Sequence, residues 1–192
     1  MATINILRRQ TIGGTEYPLQ KISFQKPDLG GEMHEQVHEV YFRPDAVAVL
    51  LANPKAGKLL LTRQFRLPAF LNGSEKGYLL ETCAGLIDEG ESAEAAARRE
   101  VQEETGYPVS SLEKIGAVFS SAGGLTEYVN LFTAVYDCNA EHTPGGGKAG
   151  EGEAIELVEV SFDEARQQVT TGAIRDAKTL LLLQHFFLNR QQ

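Results

Sequence analysis

The chain has 192 residues, 42% of them hydrophobic, and a formal net charge of −8. That length fits one full domain with a small appended element and a sizeable core, and the acidic balance excludes a broad nucleic-acid-binding surface. Two cysteines, Cys83 and Cys138, imply no disulfide framework and fit a reducing cytoplasm. No apolar run is long enough to span a membrane, and residues 1–9 lack a signal-peptide core, so a cytoplasmic chain is expected.

Residues 4–43 read as a β-rich opening, with alternating runs at 21–24 and 37–42 separated by a turn at Pro27-Asp28-Leu29-Gly30-Gly31. Pro44-Asp45 marks a boundary. Residues 46–51 and 58–64 then read as buried strands joined by the turn Asn53-Pro54-Lys55-Ala56-Gly57. The stretch from Pro68 to Gly77 reads as a polar, exposed break, and 78–83 as one further strand leading into Gly85. A helix is predicted from Ser92, a competent N-cap, to Thr105; Gly106 suits its left-handed end and Pro108 blocks continuation. Strands are expected at 115–119, 128–136 and 155–160, with a glycine-rich loop at 144–152, and helices at 163–170 and 177–188. The run Leu180–Leu183 with Phe186 and Phe187 reads as the core face of the last helix rather than a membrane anchor.

The predicted helix at 92–105 carries the chemistry. Glu100, Glu103 and Glu104 are spaced i, i+3, i+4, so they share one face. Ala93, Ala96 and Ala97 fall on the same side as Glu100 and Glu104, which lets another segment approach the carboxylates. A solvated charged face is the ordinary explanation for helical acids, but Glu103 and Glu104 lie in the last turn. There the helix dipole disfavours anions by about 0.3–1 kcal/mol each, and like charges at i, i+4 add a few tenths of a kcal/mol, roughly. Converging carboxylates at that cost point to a divalent-cation site, and magnesium takes oxygen ligands together with water and substrate phosphate.

From Gly85 to Tyr107 the segment resembles the Nudix box, Gly-x5-Glu-x7-Arg-Glu-U-x-Glu-Glu-x-Gly-U, with U a bulky apolar residue. Gly85, Glu91, Arg99, Glu100, Val101, Glu103, Glu104, Gly106 and Tyr107 all stand where the pattern asks. The resemblance implies an α/β (α+β) fold, an α/β/α sandwich around a mixed β-sheet with a β-rich N-terminal extension. It implies hydrolysis of a nucleoside diphosphate linked to a second moiety, with Mg2+ as cofactor and Mn2+ able to substitute. By the same resemblance Glu100 and Glu104 are the main metal ligands, Glu103 supports them, the backbone carbonyl of Ala84 is an extra ligand, and Arg99 orients the cluster by pairing with an acid, Glu91 being the choice.

Further segments resemble the bacterial GDP-mannose hydrolase branch, which is close to the ADP-ribose pyrophosphatases. These are Arg63-Gln64-Phe65-Arg66, Asn72-Gly73-Ser74-Glu75-Lys76-Gly77, Glu81-Thr82-Cys83-Ala84-Gly85-Leu86, Ser121–Glu127 and Gly172–Thr179. This closer resemblance implies a homodimer built partly by the N-terminal strands, with residues 1–44 as the dimerisation element and 45–192 as the Nudix hydrolase domain. The implied substrate is a nucleotide sugar, GDP-mannose first, with ADP-ribose as the alternative, and a non-catalytic nucleotide-sugar sensor as a reading of another class. Ala122 stands where ADP-ribose enzymes carry proline, fifteen residues after the box, so the resemblance speaks to reaction type more than to substrate.

Related enzymes take their general base from a glutamate on a late loop, and residues 148–156 offer Glu151 first and Glu153 second, among glycines suited to closing over a substrate. Arg43 and Arg66 are the diphosphate-binding candidates, since arginine makes bidentate phosphate contacts. Tyr17 is a candidate for stacking on a base, and Glu127, Arg175 and Asp176 for shaping the substrate site. His34-Glu35-Gln36-Val37-His38 matches a zinc-protease spacing, but it runs into a strand-like sequence, where residues i and i+4 stand ~13 Å apart. Gly145-Gly146-Gly147-Lys148 lacks both the spacing and the hydroxyl residue of a P-loop.

Overall fold

The computed structural model describes residues 3–147 and 154–189. The chain forms two compact units, one of residues 1–45 with 119–128, the other of 46–118 with 129–192.

In the first unit, β1 (Asn5–Gly13), β2 (Leu19–Pro27) and β3 (Met33–Tyr41) make an antiparallel sheet in that order. The register of β2 on β3 runs from Leu19↔Tyr41 to Pro27↔Met33. Asp28 closes the hairpin: its Oδ1 accepts the backbone N–H groups of Gly30 and Glu32 at 2.8 and 3.0 Å, the local bonding that suits aspartate to turns. The zinc-like histidines are on a strand. His34 in β3 pairs with Asp28 at 3.2 Å and His38 meets Phe24 edge-on at 5.2 Å.

In the second unit a seven-stranded mixed sheet is built around β4 (Ala46–Asn53), which pairs antiparallel with β5 (Lys58–Phe65) and parallel with β9 (Tyr128–Val135). β10 (Glu156–Ser161) lies beside β5, and β8 (Glu113–Phe119) beside β9. All eight residues of β4 are buried, because both faces of the sheet are covered. Successive side chains of a strand point to opposite faces. Ala46, Ala48, Leu50 and Ala52 join a core with Ala165, Leu182, Leu183 and Phe187, contributed by α3 (Phe162–Thr170) and α4 (Ala177–Asn189). Val47, Val49 and Leu51 join the opposite core with Ala96, Ala97 and Val101 of α2 (Ala93–Thr105). Leu182 and Leu183 are fully buried, each gaining about 1.5–3 kcal/mol from that burial; with Phe187 they form the core face of α4, whereas Leu181 is exposed, because four consecutive residues cannot share one helix face. Among the described residues no helix is long and apolar enough to cross a membrane.

Two expectations change. The break at 68–77 is not structureless: it contains the short helix α1 (Leu67–Leu71), with proline in its first turn, and a 3-10 turn at Glu75–Gly77. Its exposed side chains include apolar Leu67, Phe70 and Leu71 rather than only polar ones. The single strand expected at 78–83 is two, β6 (Tyr78–Glu81) on β5 and β7 (Cys83–Leu86) on β4. The chain changes partner at Thr82, whose buried N–H finds Thr179 Oγ1 at 2.8 Å instead of a strand.

Candidate active site

α2 begins where its sequence says. The Ser92 hydroxyl accepts from Ala95 N at 3.2 Å, and Gly106 closes the helix in the left-handed region at φ 76°. Ala96, Ala97, Val101, Glu104 and Thr105 are buried, so the small residues seat the helix against β4 and β7, and Glu104 goes in with them. Across from it, β7 offers Gly85. A methyl group there would lie 2.0 Å from Glu100 Cδ and 2.2–2.4 Å from its two oxygens. The missing Cβ is the space in which the Glu100 carboxylate lies.

Arg99 is the hub of the acids. Its Nε and Nη2 donate to the two oxygens of Glu91 at 3.0 and 2.8 Å, its Nη1 to Glu100 at 2.6 Å and Glu103 at 3.3 Å, and its Nη2 also to the carbonyl of Leu86 at 2.9 Å. The Glu91 hydrogen bond, together with the Glu100 bond and charge, holds the guanidinium above its ordinary range against the opposing pull of burial. On the deeper side, Glu104 is 4% exposed and accepts from Ala84 N at 3.3 Å. Burial pushes the Cys83 thiol well above its usual range, and the Glu104 carboxylate adds to the rise. Glu100, Glu103, Glu104 and Ala84 thus come together on one helix face and the strand beside it. The donor set is all oxygen, which fits a hard divalent cation.

A second cluster lies at the ends of β5, β6 and α4, and only part of it is visible in the sequence. Arg66 donates through Nε and Nη2 to both oxygens of Glu81 at 2.8 and 2.9 Å. Lys178 Nζ donates to Glu81 at 2.5 Å and lies 2.9 Å from Asp176. Burial alone would push the Glu81 carboxyl up, but the Arg66 hydrogen bond and the Lys178 and Arg66 charges outweigh it and hold it below the usual range. Asp176 accepts from Thr179 N at 2.9 Å and Thr179 Oγ1 at 2.6 Å, so it caps the start of α4. Arg175, beside it, is exposed. Glu81 and Lys178 are members of this cluster that the sequence does not single out. The one signal is an acid ending the otherwise apolar run Tyr78-Leu79-Leu80, a position that buries charge only with partners.

The remaining candidates are in the first unit, where Arg43, Tyr17 and Glu127 meet. Arg43 is 3.2 Å from Glu127, its guanidinium carbon is 5.7 Å from the centre of the Tyr17 ring, and its backbone exchanges hydrogen bonds with Thr126 Oγ1 at 2.9 and 3.0 Å. Glu151 and Glu153 lie outside the described residues. The chain just before them is fastened to α2: Gly146 N and Gly147 N donate to the carbonyls of Glu104 and Glu103 at 2.7 and 3.2 Å, and Thr143 N to that of Gly106 at 3.2 Å.

Comparison with known proteins bears on the family. Residues 42–183 match the NUDIX domain. A GDP-mannose pyrophosphatase of Pectobacterium atrosepticum is 42% identical over 182 residues, covering 95% of this chain and 93% of that one. Those of Cronobacter sakazakii and Yersinia enterocolitica are 40% and 41% identical, over 96% and 95% of this chain and 95% and 94% of theirs. A crystal structure of an ADP compounds hydrolase superposes with a TM-score of 0.70 at 20% identity, covering 98% of this chain and 93% of that one, which is a likeness of fold. The box at 85–107, the mixed sheet between two helical layers and the match over most of the chain lead to one assignment: the protein belongs to the Nudix family.

Proposed function

We propose that this protein is a Mg2+-dependent pyrophosphatase that hydrolyses GDP-mannose to GMP and mannose 1-phosphate. The observation that carries it is the near-40% identity to GDP-mannose pyrophosphatases across about 95% of the chain, in a protein that keeps the full carboxylate set of its helix. Nudix hydrolases generally depend on a divalent metal. Here Glu100, Glu104, Glu103 and the Ala84 carbonyl would hold it, and a bound cation supplies charge neutralisation of the diphosphate and orientation of the attacking water.

The residues of the chain divide the remaining work. Arg99, tied to Glu91, Glu100, Glu103 and Leu86, fixes the carboxylates so that little reorganisation is left for the reaction. Arg66 binds a diphosphate oxygen, with Arg175 and Asp176 as further substrate-site residues of the second unit; in the first unit Arg43 is the diphosphate-binding candidate, Tyr17 the one for stacking on a base and Glu127 a further substrate-site residue. Glu151, or Glu153 after it, takes the proton of the water that attacks phosphorus, while the phosphoanhydride P–O bond breaks and its electron pair leaves with the departing phosphate. Turnover of Glu151→Gln and Glu153→Gln tests this last assignment; near-normal kcat in both places the base elsewhere. Exposed Ile6, Leu7 and Ile12 on β1 support a homodimer through the N-terminal strands, to be checked by sedimentation equilibrium, where a monomer would refute it. Two free thiols, Cys83 and Cys138, suit a cytoplasmic setting; export of the protein to an oxidising compartment, seen by cell fractionation, would count against it.

The activity is tested with GDP-mannose, ADP-ribose and ADP-glucose, each with Mg2+ and with EDTA. The expected result is the highest kcat/KM on GDP-mannose and none with EDTA. Preference for ADP-ribose would move the substrate assignment, and binding without turnover would make the chain a sensor.

A further inference from the structure

Glu81 stands apart from the carboxylate helix, yet it is only 2% exposed, and an unpaired carboxylate at that depth is among the most costly groups a protein can bury. It is paired twice over. Arg66, just past the end of β5, covers both of its oxygens with Nε and Nη2, and Lys178 from the first turn of α4 reaches Oε2. Other bonds also join this corner. The start of α4 is capped by Asp176 and bolted to the sheet by the bond from Thr82 N to Thr179 Oγ1. Glu81 is the carboxylate that Arg66 and Lys178 share. With Nε and Nη2 engaged, the orientation of the guanidinium is fixed, and its Nη1 donates to no other group among the described residues. A buried ion pair seldom adds net stability over well-packed apolar side chains, so the retention of this one asks for another reason.

We propose that Glu81 is a positioning residue for substrate binding: its carboxylate clamps the Nε–Nη2 edge of Arg66, with Lys178 alongside, so that the remaining corner of the guanidinium is presented to a diphosphate oxygen. This rests on the reading of Arg66 as a diphosphate-binding side chain. Glu81 acts through Arg66, so its contribution should be lost when Arg66 is lost.

The test is a double-mutant cycle on KM and kcat for GDP-mannose hydrolysis with Mg2+, using Glu81→Asp, Arg66→Met and the double variant, with thermal midpoints measured alongside. Glu81→Asp keeps the charge but is one methylene short of spanning both cations. Arg66→Met should raise KM by about tenfold or more, the loss of a charged hydrogen bond. Glu81→Asp should raise KM at least ~5-fold with kcat nearly unchanged, the pattern of lost uniform binding, and should have no further effect on KM once Arg66 is methionine. If Glu81→Asp leaves KM unchanged, or raises it equally in both backgrounds, the positioning role is wrong even though Arg66 binds substrate. If Arg66→Met itself leaves KM unchanged, the diphosphate reading of Arg66 fails, and the proposal with it. Should Glu81→Asp lose its folded far-UV spectrum, the isosteric Glu81→Gln is put through the same two comparisons, with the same outcomes deciding.

Discussion

At the scale of single residues, Gly85 separates the chemistry from the fold most cleanly. The three atoms that a methyl group there would meet first all belong to the tip of Glu100, a flexible side chain. Gly85→Ala is therefore expected to fold with a thermal midpoint close to that of the parent, while displacement of the Glu100 carboxylate lowers kcat by about a hundredfold, the scale at which a 1 Å misplacement acts. Thermal melts and GDP-mannose turnover on the same preparation check this; normal turnover would mean that Glu100 need not lie where it does. In the sequence Gly85 is visible only as a letter in a motif. Its reason, a carboxylate filling the space of the absent side chain, is a contact between residues fifteen positions apart. Glu81 is less legible still, because its meaning depends on Arg66 and Lys178, which the chain supplies fifteen residues before it and ninety-seven after.

At the scale of elements, α2 is readable at both ends, since Ser92, Gly106 and Pro108 are local signals acting on local backbone. The packing beyond Gly106 is not readable in this way. The carbonyls of Glu103, Glu104 and Gly106 receive N–H groups from Gly147, Gly146 and Thr143, so the end of the helix is satisfied by a loop far along the chain. Gly106 is indispensable to this arrangement twice over: its φ is 76°, and a Cβ would lie 1.9 Å from the Thr143 carbonyl oxygen. Gly106→Ala should thus cost more than ~1 kcal/mol, measured by urea denaturation. An unchanged midpoint would show that the loop does not pack there. The split of β6 from β7 escapes the sequence for a like reason: the run from Tyr78 to Cys83 has no turn residue, and only Thr179 waiting for the Thr82 N–H marks the break. The short helix α1, one turn with Pro68 as its second residue, is too brief for periodicity to reveal.

At the scale of the whole molecule, the alternation of Ala46, Ala48 and Leu50 against Val47, Val49 and Leu51 is what makes a two-sided core, and that much is written in an unbroken apolar run. Charge adds a condition on pH. The Glu81 carboxyl is held below its ordinary range by Arg66 and Lys178 against burial, Glu159 by its hydrogen bond from Lys58, and Glu164 by the backbone and hydroxyl of Ser161. A carboxylate with a depressed folded pKa contributes stability that is fully present above its unfolded value, near ~4.3, and is lost as pH falls through the lower folded value. Urea midpoints should accordingly be level from pH 7 to 5 and fall below about pH 4; a midpoint that rises on acidification would contradict these pairings. The functional account stands on the Glu100 and Glu104 carboxylates holding the cation that activates the diphosphate. The decisive measurement is Mn2+ binding by calorimetry, together with GDP-mannose turnover, in Glu100→Gln/Glu104→Gln. Loss of the cation site and a fall in kcat of at least ~10²-fold are predicted, since removal of both ligands removes the metal's several kcal/mol of transition-state stabilisation. Undiminished Mn2+ affinity with undiminished cleavage would contradict it.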